Sequence, residues 1–263
     1  MHVLVVTHGK TLEDIKNLYR FLNIRTDAFF VNQCGEVKKE ECDIDGHHVD
    51  AYCFDDIGVA KNRNHLLDVA PEGLCLCVDD DCPLEKGYEE VVKRFFDAHE
   101  CDVALFNGKV PYEGNRLVHN KETKRVRKFR DVSYGGGPGL AFIGKKMKES
   151  GIRYDERLGY PNDLFIGEDS LFLKRLSESS LCFYRSEDVL FTVAIDKEDN
   201  SGYFQGYDDR FFFVKGALTK ILYPHSPLLY PLYQARALAK KTGKPFGHIY
   251  RLMREGRKSV KDF

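Results

Sequence analysis
Hydrophobic and polar positions along the first part of the chain switch repeatedly between two periods. Val3 to Val6, in HVLVVTH, form an unbroken apolar run, the mark of a strand buried on both faces. In TLEDIKNLYRFLN the apolar positions Leu12, Ile15, Leu18, Tyr19 and Leu22 recur at helical spacing, which predicts a helix with one apolar stripe. Thr11 and Asp14 stand at the spacing of a capping box at its start. AFFVNQC predicts a second strand and HHVDAYCFDD a third. GVAKNRNHLLDVA predicts a helix opened by a Gly-containing loop, and LCLCV a fourth strand. PLEKGYEEVVKRFFDAH reads as a helix with Pro83 in its opening turn, and DVALFNGKV as a fifth strand.

Strands and helices in this alternation predict an α/β fold, a mixed, mostly parallel central sheet flanked by helices. Ligands of such sheets sit at the carboxyl ends of the strands. Thr7-His8, Asn32-Gln33 and Asp79-Asp80-Asp81 all fall at such ends. Farther on, residues 111–133 are polar and basic around KETKRVRKFR, either a solvated hairpin or a flap facing phosphates or an acceptor. SYGGGPGLAFIGKKM brings glycines that permit close backbone approach. RYDERLGYPNDLFIGEDSLFLKRL runs from a turn-rich loop into a helix. One or two strands follow in 181–195, a polar loop in 196–210, and helix from about 211 onward.

Charge narrows the picture only locally. The 263 residues carry 40 Lys or Arg against 41 Asp or Glu, so global charge gives no argument for nucleic-acid binding. From Arg236 onward, however, nine Lys or Arg face two acidic residues. That segment predicts either a helical cap on the domain edge or a peripheral contact with an anionic inner membrane face. No secretory leader and no apolar run long enough for a membrane span is visible, which predicts a cytoplasmic protein. Eight cysteines without a C-x-x-C pair predict reduced thiols, and Cys75 and Cys77, two apart in one strand, predict packing rather than ligation.

Three motifs carry chemistry. The first is the carboxylate triplet Asp79-Asp80-Asp81 that closes the fourth strand. Hard divalent cations take oxygen ligands and leave positions open for phosphates. The same aspartates could instead cap the next helix. The second is GVAKNRN, where Lys61 and Arg63 near a helix start could neutralise a diphosphate. The third is GEDS at 167–170, where Glu168 and Asp169 open an apolar helix. A carboxylate there stays ionised beside free N–H groups and suits a general base.

Taken in order, the β-α-β start, G-x-x-x-x-R-N, the apolar strand ending in DDD, the Gly-rich segment and G-E-D at a helix start resemble the family 2 glycosyltransferases of the GT-A fold. More closely, they resemble bacterial enzymes that build capsular and other surface polysaccharides. The resemblance covers roughly residues 1–220, implying a GT-A (Rossmann-like) nucleotide-sugar-binding catalytic domain over 1–220 and a basic helical extension over 221–263. It implies Asp79 and Asp81 as ligands of Mn²⁺ or Mg²⁺, with Asp79 and Asp80 also near the ribose. It implies Arg63 near the donor diphosphate, Thr7 in the nucleotide pocket, and Gly136 and Gly137 beside the donor sugar. Asn32 and Gln33 stand where many relatives carry an acidic residue that reads the base. Asp169 matches the catalytic base, with Glu168 as neighbour and possible substitute. Relatives often supply a metal-binding His after the last core strand; here that region offers Asp196, and His225 follows later. The implied reaction is an inverting, metal-dependent transfer from a nucleotide-sugar, a UDP-sugar by analogy, to a hydroxyl of a saccharide or lipid-linked acceptor.

Competing readings fit less well. A sugar nucleotidyltransferase would need a Gly- and Lys/Arg-rich loop after the first strand, and THGKTLED supplies little of that. A phosphatase would put its D-x-D on the first strand. A binding scaffold without turnover would not need the triplet, Arg63 and Asp169 together.

Overall fold
An apolar run with both faces covered belongs in the middle of a sheet, and β1 (His2–His8) takes that place, with Val3, Leu4 and Val5 fully buried. The computed structural model describes residues 1–110, 116–117, 122–132, 136–194 and 206–261. α1 (Leu12–Phe21) follows β1, and the Thr11–Asp14 capping box forms at its start as expected. β2 (Ala28–Gln33) then pairs parallel with β1. β3 (Lys38–Ile44) and β4 (His47–Phe54) make a hairpin through Asp45-Gly46, both at positive φ, and β4 pairs parallel with β2.

α2 (Val59–Val69) leads to β5 (Leu74–Asp79), which pairs parallel with β1 from the other side. α3 (Tyr88–His99) leads to β6 (Val103–Val110). Two short strands follow, β7 (Arg116–Leu117) on β6 and β8 (Lys124–Arg125) on the sheet edge. β9 (Leu140–Ile143) inserts antiparallel between β5 and β6. α4 (Gly144–Ser150) and α5 (Glu168–Ser177) precede β10 (Phe183–Thr192), which pairs parallel with β6.

The strand order is β3-β4-β2-β1-β5-β9-β6-β10-β8, with β7 beside β6. β1, β2, β4, β5, β6 and β10 share one direction; β3, β7, β8 and β9 oppose it. One face of the sheet packs on α1 and α3 through Ile15, Tyr19, Tyr88 and Val92. The other packs on α2, α4 and α5 through Leu66, Leu67, Met147 and Phe172. α6 (Asp209–Leu222), α7 (Leu229–Thr242) and α8 (Phe246–Ser259) close a third cluster around Phe212, Ala235, Ile249 and Met253.

Three elements differ from the sequence expectation. β3 is absent from the sequence expectation, because its run KKEECDI is mostly charged and shows no apolar alternation. β9 is four residues of apolar chain, too short to assign by period. α3 begins at Tyr88 after Gly87 in the left-handed region, so Pro83 precedes the helix rather than opening it. Residues 83–85 bond instead to β10 and to the end of α1, through Thr192 N–H to Pro83 O, Leu84 N–H to Leu22 O, and Glu85 N–H to Leu190 O. Cys75 and Cys77 pack against the apolar cluster on their face of the sheet, as expected. No helix among the described residues is long and apolar enough to cross a membrane.

Candidate active site
The parallel strands set the site. In register, Thr7 lies opposite Asn32, His8 opposite Gln33, Gln33 opposite Phe54, and Val6 opposite Asp79. Their carboxyl ends therefore deliver the three polar clusters to one edge. There a cleft of about 500 Å³ opens, lined among others by Thr7, Gln33, Arg63, Asp79, Asp81 and Glu168.

Its centre is Arg63, only 8 % exposed. The guanidinium pairs with Asp169, and also stands 3.5 Å from Glu168 and 3.6 Å from Asp79. The Tyr154 ring lies 5.6 Å from it. That ring is held by Asn64, whose side chain accepts from Tyr154 N–H and donates to Tyr154 C=O, at 2.9 and 3.1 Å. So the R-N pair works as a unit: Arg63 carries the charge and Asn64 fixes the loop beneath it. Gly137 leaves room for Arg63, since a Cβ there would come within 2.7 Å of the guanidinium. Gly136 faces Asp169, with a Cβ position 3.9 Å from Oδ2.

Glu168 and Asp169 are the first residues of α5, as the sequence indicated. The preceding Gly167 sits at φ 106, and a Cβ on it would meet Leu218 of α6 at 2.3 Å. A residue with a side chain fits neither that conformation nor that space, so glycine sets the entry of the helix.

The three aspartates turn to three partners. Asp79 faces Arg63, Asp80 accepts from the Thr7 hydroxyl at 2.7 Å, and Asp81 accepts from the Cys82 thiol at 3.1 Å. Because the following helix is capped by Gly87, capping does not account for them. Burial is the largest influence on Asp79. Together with Asp169, Asp81 and Asp80, it outweighs the pull of Arg63 and pushes this carboxyl up to about 6. Glu168 is pushed up to about 7, by burial first and Asp169 second, against Arg63. Burial works against the charge of Arg63, but Asp169, Asp79 and Glu168 more than offset it, so the guanidinium stays charged.

The remaining sequence candidates divide. Gln33 reaches the cleft, but both ends of its amide are used, by Asp56 and by the backbone of Gly58. Asn32 is fully buried and bonds both ways to the Lys10 backbone, fixing the loop after β1. Lys61 does not line the cleft; its aliphatic chain runs beside Gly58. His225 is exposed between α6 and α7, away from the cleft lining. Gly135, Asp196 and most of 111–121 lie outside the described residues.

Two further residues do not stand out in the sequence, one bonded to a cleft residue and one in the cleft lining itself. Asp56, just past β4, supplies a carboxylate bonded to Gln33 and His65, and DD at the end of HHVDAYCFDD was its signal. Asn62 lies one residue before Arg63. Its side chain donates to Thr7 C=O at 3.0 Å, while its buried Oδ1 has no hydrogen-bond partner. That acceptor belongs to a residue lining the cleft. Only the fold could single it out.

The donor set suits a hard divalent cation by type, since it offers carboxylate oxygens only. By charge the fit is stronger. Asp79, Glu168 and Asp169 flank one guanidinium, and Asp80 and Asp81 add their negative charge beside Asp79. In the described residues three possible ligand atoms converge elsewhere, at Glu41, His48 and Asp50 on β3 and β4.

No protein-family model and no curated protein sequence matches the chain. Solved structures do. S. aureus TarS 1–349 is 14 % identical, with a TM-score of 0.58 over 98 % of this chain and 91 % of that one. The same TarS fragment in complex with UDP-GlcNAc is 17 % identical, with a TM-score of 0.58 over 92 % and 73 %. In complex with UDP it is 17 % identical, with a TM-score of 0.55 over 93 % and 72 %. At such identities the likeness shows the fold, which is the α/β architecture of GT-A type.

Proposed function
We propose that the chain is an inverting glycosyltransferase. It moves a sugar from a nucleotide-sugar, first of all a UDP-sugar, to a hydroxyl of a saccharide or lipid-linked acceptor in surface polysaccharide biosynthesis. The observation that carries this reading is a cleft at the carboxyl ends of parallel strands where three carboxyls, Asp79, Glu168 and Asp169, meet one buried guanidinium, with Asp80 and Asp81 in the lining beside them. A diphosphate enters so acidic a cleft only if cations accompany it. That TarS, of the same fold, crystallises with UDP and UDP-GlcNAc supports the donor class.

In this reading the catalytic unit spans 1–220. Arg63 meets the diphosphate and stabilises charge on the leaving group. Asp79 and Asp81 would hold Mn²⁺ or Mg²⁺, which when bound neutralises the same charge. Thr7 orients Asp80 toward the ribose, and the free Oδ1 of Asn62 accepts from a donor hydroxyl or N–H. Asp169 takes the proton of the acceptor hydroxyl as its oxygen bonds to the anomeric carbon. The bond from that carbon to the diphosphate oxygen breaks on the opposite face, so the centre inverts. Arg63 must shift from Asp169 to the donor for the base to be free. Glu168, which lines the cleft and titrates near neutrality, is the substitute base.

The test is a melting series with nucleoside diphosphates, with and without Mn²⁺, followed by donor hydrolysis. Metal-dependent stabilisation by one nucleotide and slow release of sugar are expected. Stabilisation without hydrolysis or transfer would leave a nucleotide-sugar-binding scaffold; no stabilisation by any nucleotide would end the transferase reading.

A further inference from the structure
The apolar surface of the C-terminal helices has no counterpart elsewhere on the described molecule. Of nine large apolar side chains exposed among the described residues, five fall between Leu228 and Phe246. The other four, Phe21, Val37, Ile57 and Tyr160, are scattered. Isolated exposed apolar residues are ordinary, whereas a contiguous patch marks an interaction site.

The patch follows from how α7 is built. Pro231, Ala235 and Leu238 turn inward, and Ala235 and Leu238 join the cluster with α6 and α8. The outward stripe then carries Leu229 at 77 % exposure and Tyr233 at 67 %, continuing along the helix to Arg236 and Lys240. Leu228 at 61 % and Phe246, where α8 begins, extend it. A shallow hollow of about 940 Å³ lies along this stripe, and no carboxylate lines it. A neighbouring hollow on α8 is lined by Arg251, Arg254 and Lys258, with Glu255 as its one acid.

We propose that α7 and the start of α8 dock on an anionic lipid surface. Leu228, Leu229, Leu232, Tyr233 and Phe246 enter the headgroup boundary, and Arg236 and Lys240 meet lipid phosphates. Charge decides among occupants. Over 224–261 nine Lys or Arg stand against Glu255 alone. A second copy docked face to face would set cations against cations, while an anionic bilayer complements them and accepts the apolar tip. The proposal does not depend on the transferase reading, because none of these residues lines the cleft.

The experiment is co-sedimentation of the full chain with phosphatidylcholine vesicles, with and without phosphatidylserine, at low and high salt. Leu229→Glu/Tyr233→Glu and Arg236→Glu/Lys240→Glu are compared with the natural sequence. All four side chains are at the surface, so unchanged melting temperatures establish that the variants fold. Binding to phosphatidylserine vesicles, at least ~10-fold weaker on pure phosphatidylcholine and reduced ~10-fold or more in each double variant, is expected. No sedimentation with phosphatidylserine vesicles at low salt overturns the proposal. So does undiminished binding by Leu229→Glu/Tyr233→Glu. Concentration-dependent dimers that this variant abolishes, without vesicle binding, would assign the patch to a second copy instead.

Discussion
Among the described residues, carboxylates crowd together on the β3–β4 hairpin and around Arg63, and the two places are built differently. On the β3–β4 hairpin, Glu41 and Asp50 face each other directly across the strands. Like charges so placed are destabilising. Here Lys39 pairs with both, and His48 lies 3.1 Å from Asp50. The whole cluster comes from one local hairpin, and Glu41 and His48 are open to water. Around Arg63 the partners come from β5 and from α5, up to 106 residues away in the chain. The guanidinium is buried, and the carboxyls outnumber it. Distance alone favours the hairpin as a metal site. Charge compensation favours the cleft, because the hairpin acids already have cations, whereas the cleft holds a surplus of negative charge in a desolvated place.

Removing the central cation tests this contrast most severely. Arg63→Ala should cost up to about 3–5 kcal/mol of stability, since it strands three partly buried carboxylates, and should reduce sugar transfer by ~10²–10³-fold. Denaturant unfolding and turnover check the two effects separately. Unchanged stability would mean that the pairing around Arg63 is not structural.

Next in size is the loss of donor binding. With nucleoside diphosphate and Mn²⁺ at ~100 times the dissociation constant, the natural chain should gain ~2.7 kcal/mol, and Asp81→Ala should lose the metal-dependent part. Thermal melting reads this directly. A shift retained in Asp81→Ala but lost in a Glu41 variant would reverse the ranking of the two clusters.

A pH dependence follows from Asp79 and Glu168. Their folded values of about 6 and about 7 exceed the ordinary 3.8 and 4.5. The folded chain therefore holds more protons than the unfolded chain between roughly pH 4 and 7, and metal-free stability should fall as pH rises through that window. Glu168→Gln should flatten the decline, as followed by unfolding at a series of pH values. If Glu168 must be ionised for transfer, activity rises through about pH 7, and a profile unchanged in Glu168→Gln would exclude that role.

The smallest effect belongs to the hairpin. Glu41→Ala or His48→Ala should change stability by less than about 1 kcal/mol and leave transfer unchanged, as expected of exposed ion pairs. A larger effect on Mn²⁺ stoichiometry, read by titration, would make the hairpin a true metal site.

The sequence by itself determined the buried strands, the capped first helix, and the residue types that close the strands. Apolar runs and periods are local quantities, set by which faces water cannot reach. It also determined that Glu168 and Asp169 would open a helix, because glycine and acidic residues mark helix starts locally. It left β3 hidden, although Asp45-Gly46 is a hairpin signal, because an edge strand open to solvent needs no apolar alternation. Only the tertiary structure decided partners. Asn32 turns back to Lys10 instead of facing the cleft, Asn62 keeps a buried acceptor without a hydrogen-bond partner, and Arg63 meets Asp169 across 106 residues. Such pairings depend on strand order and on the tilt of helices that pack against the sheet. No local pattern encodes them, because their energies exist only once distant segments have excluded water together.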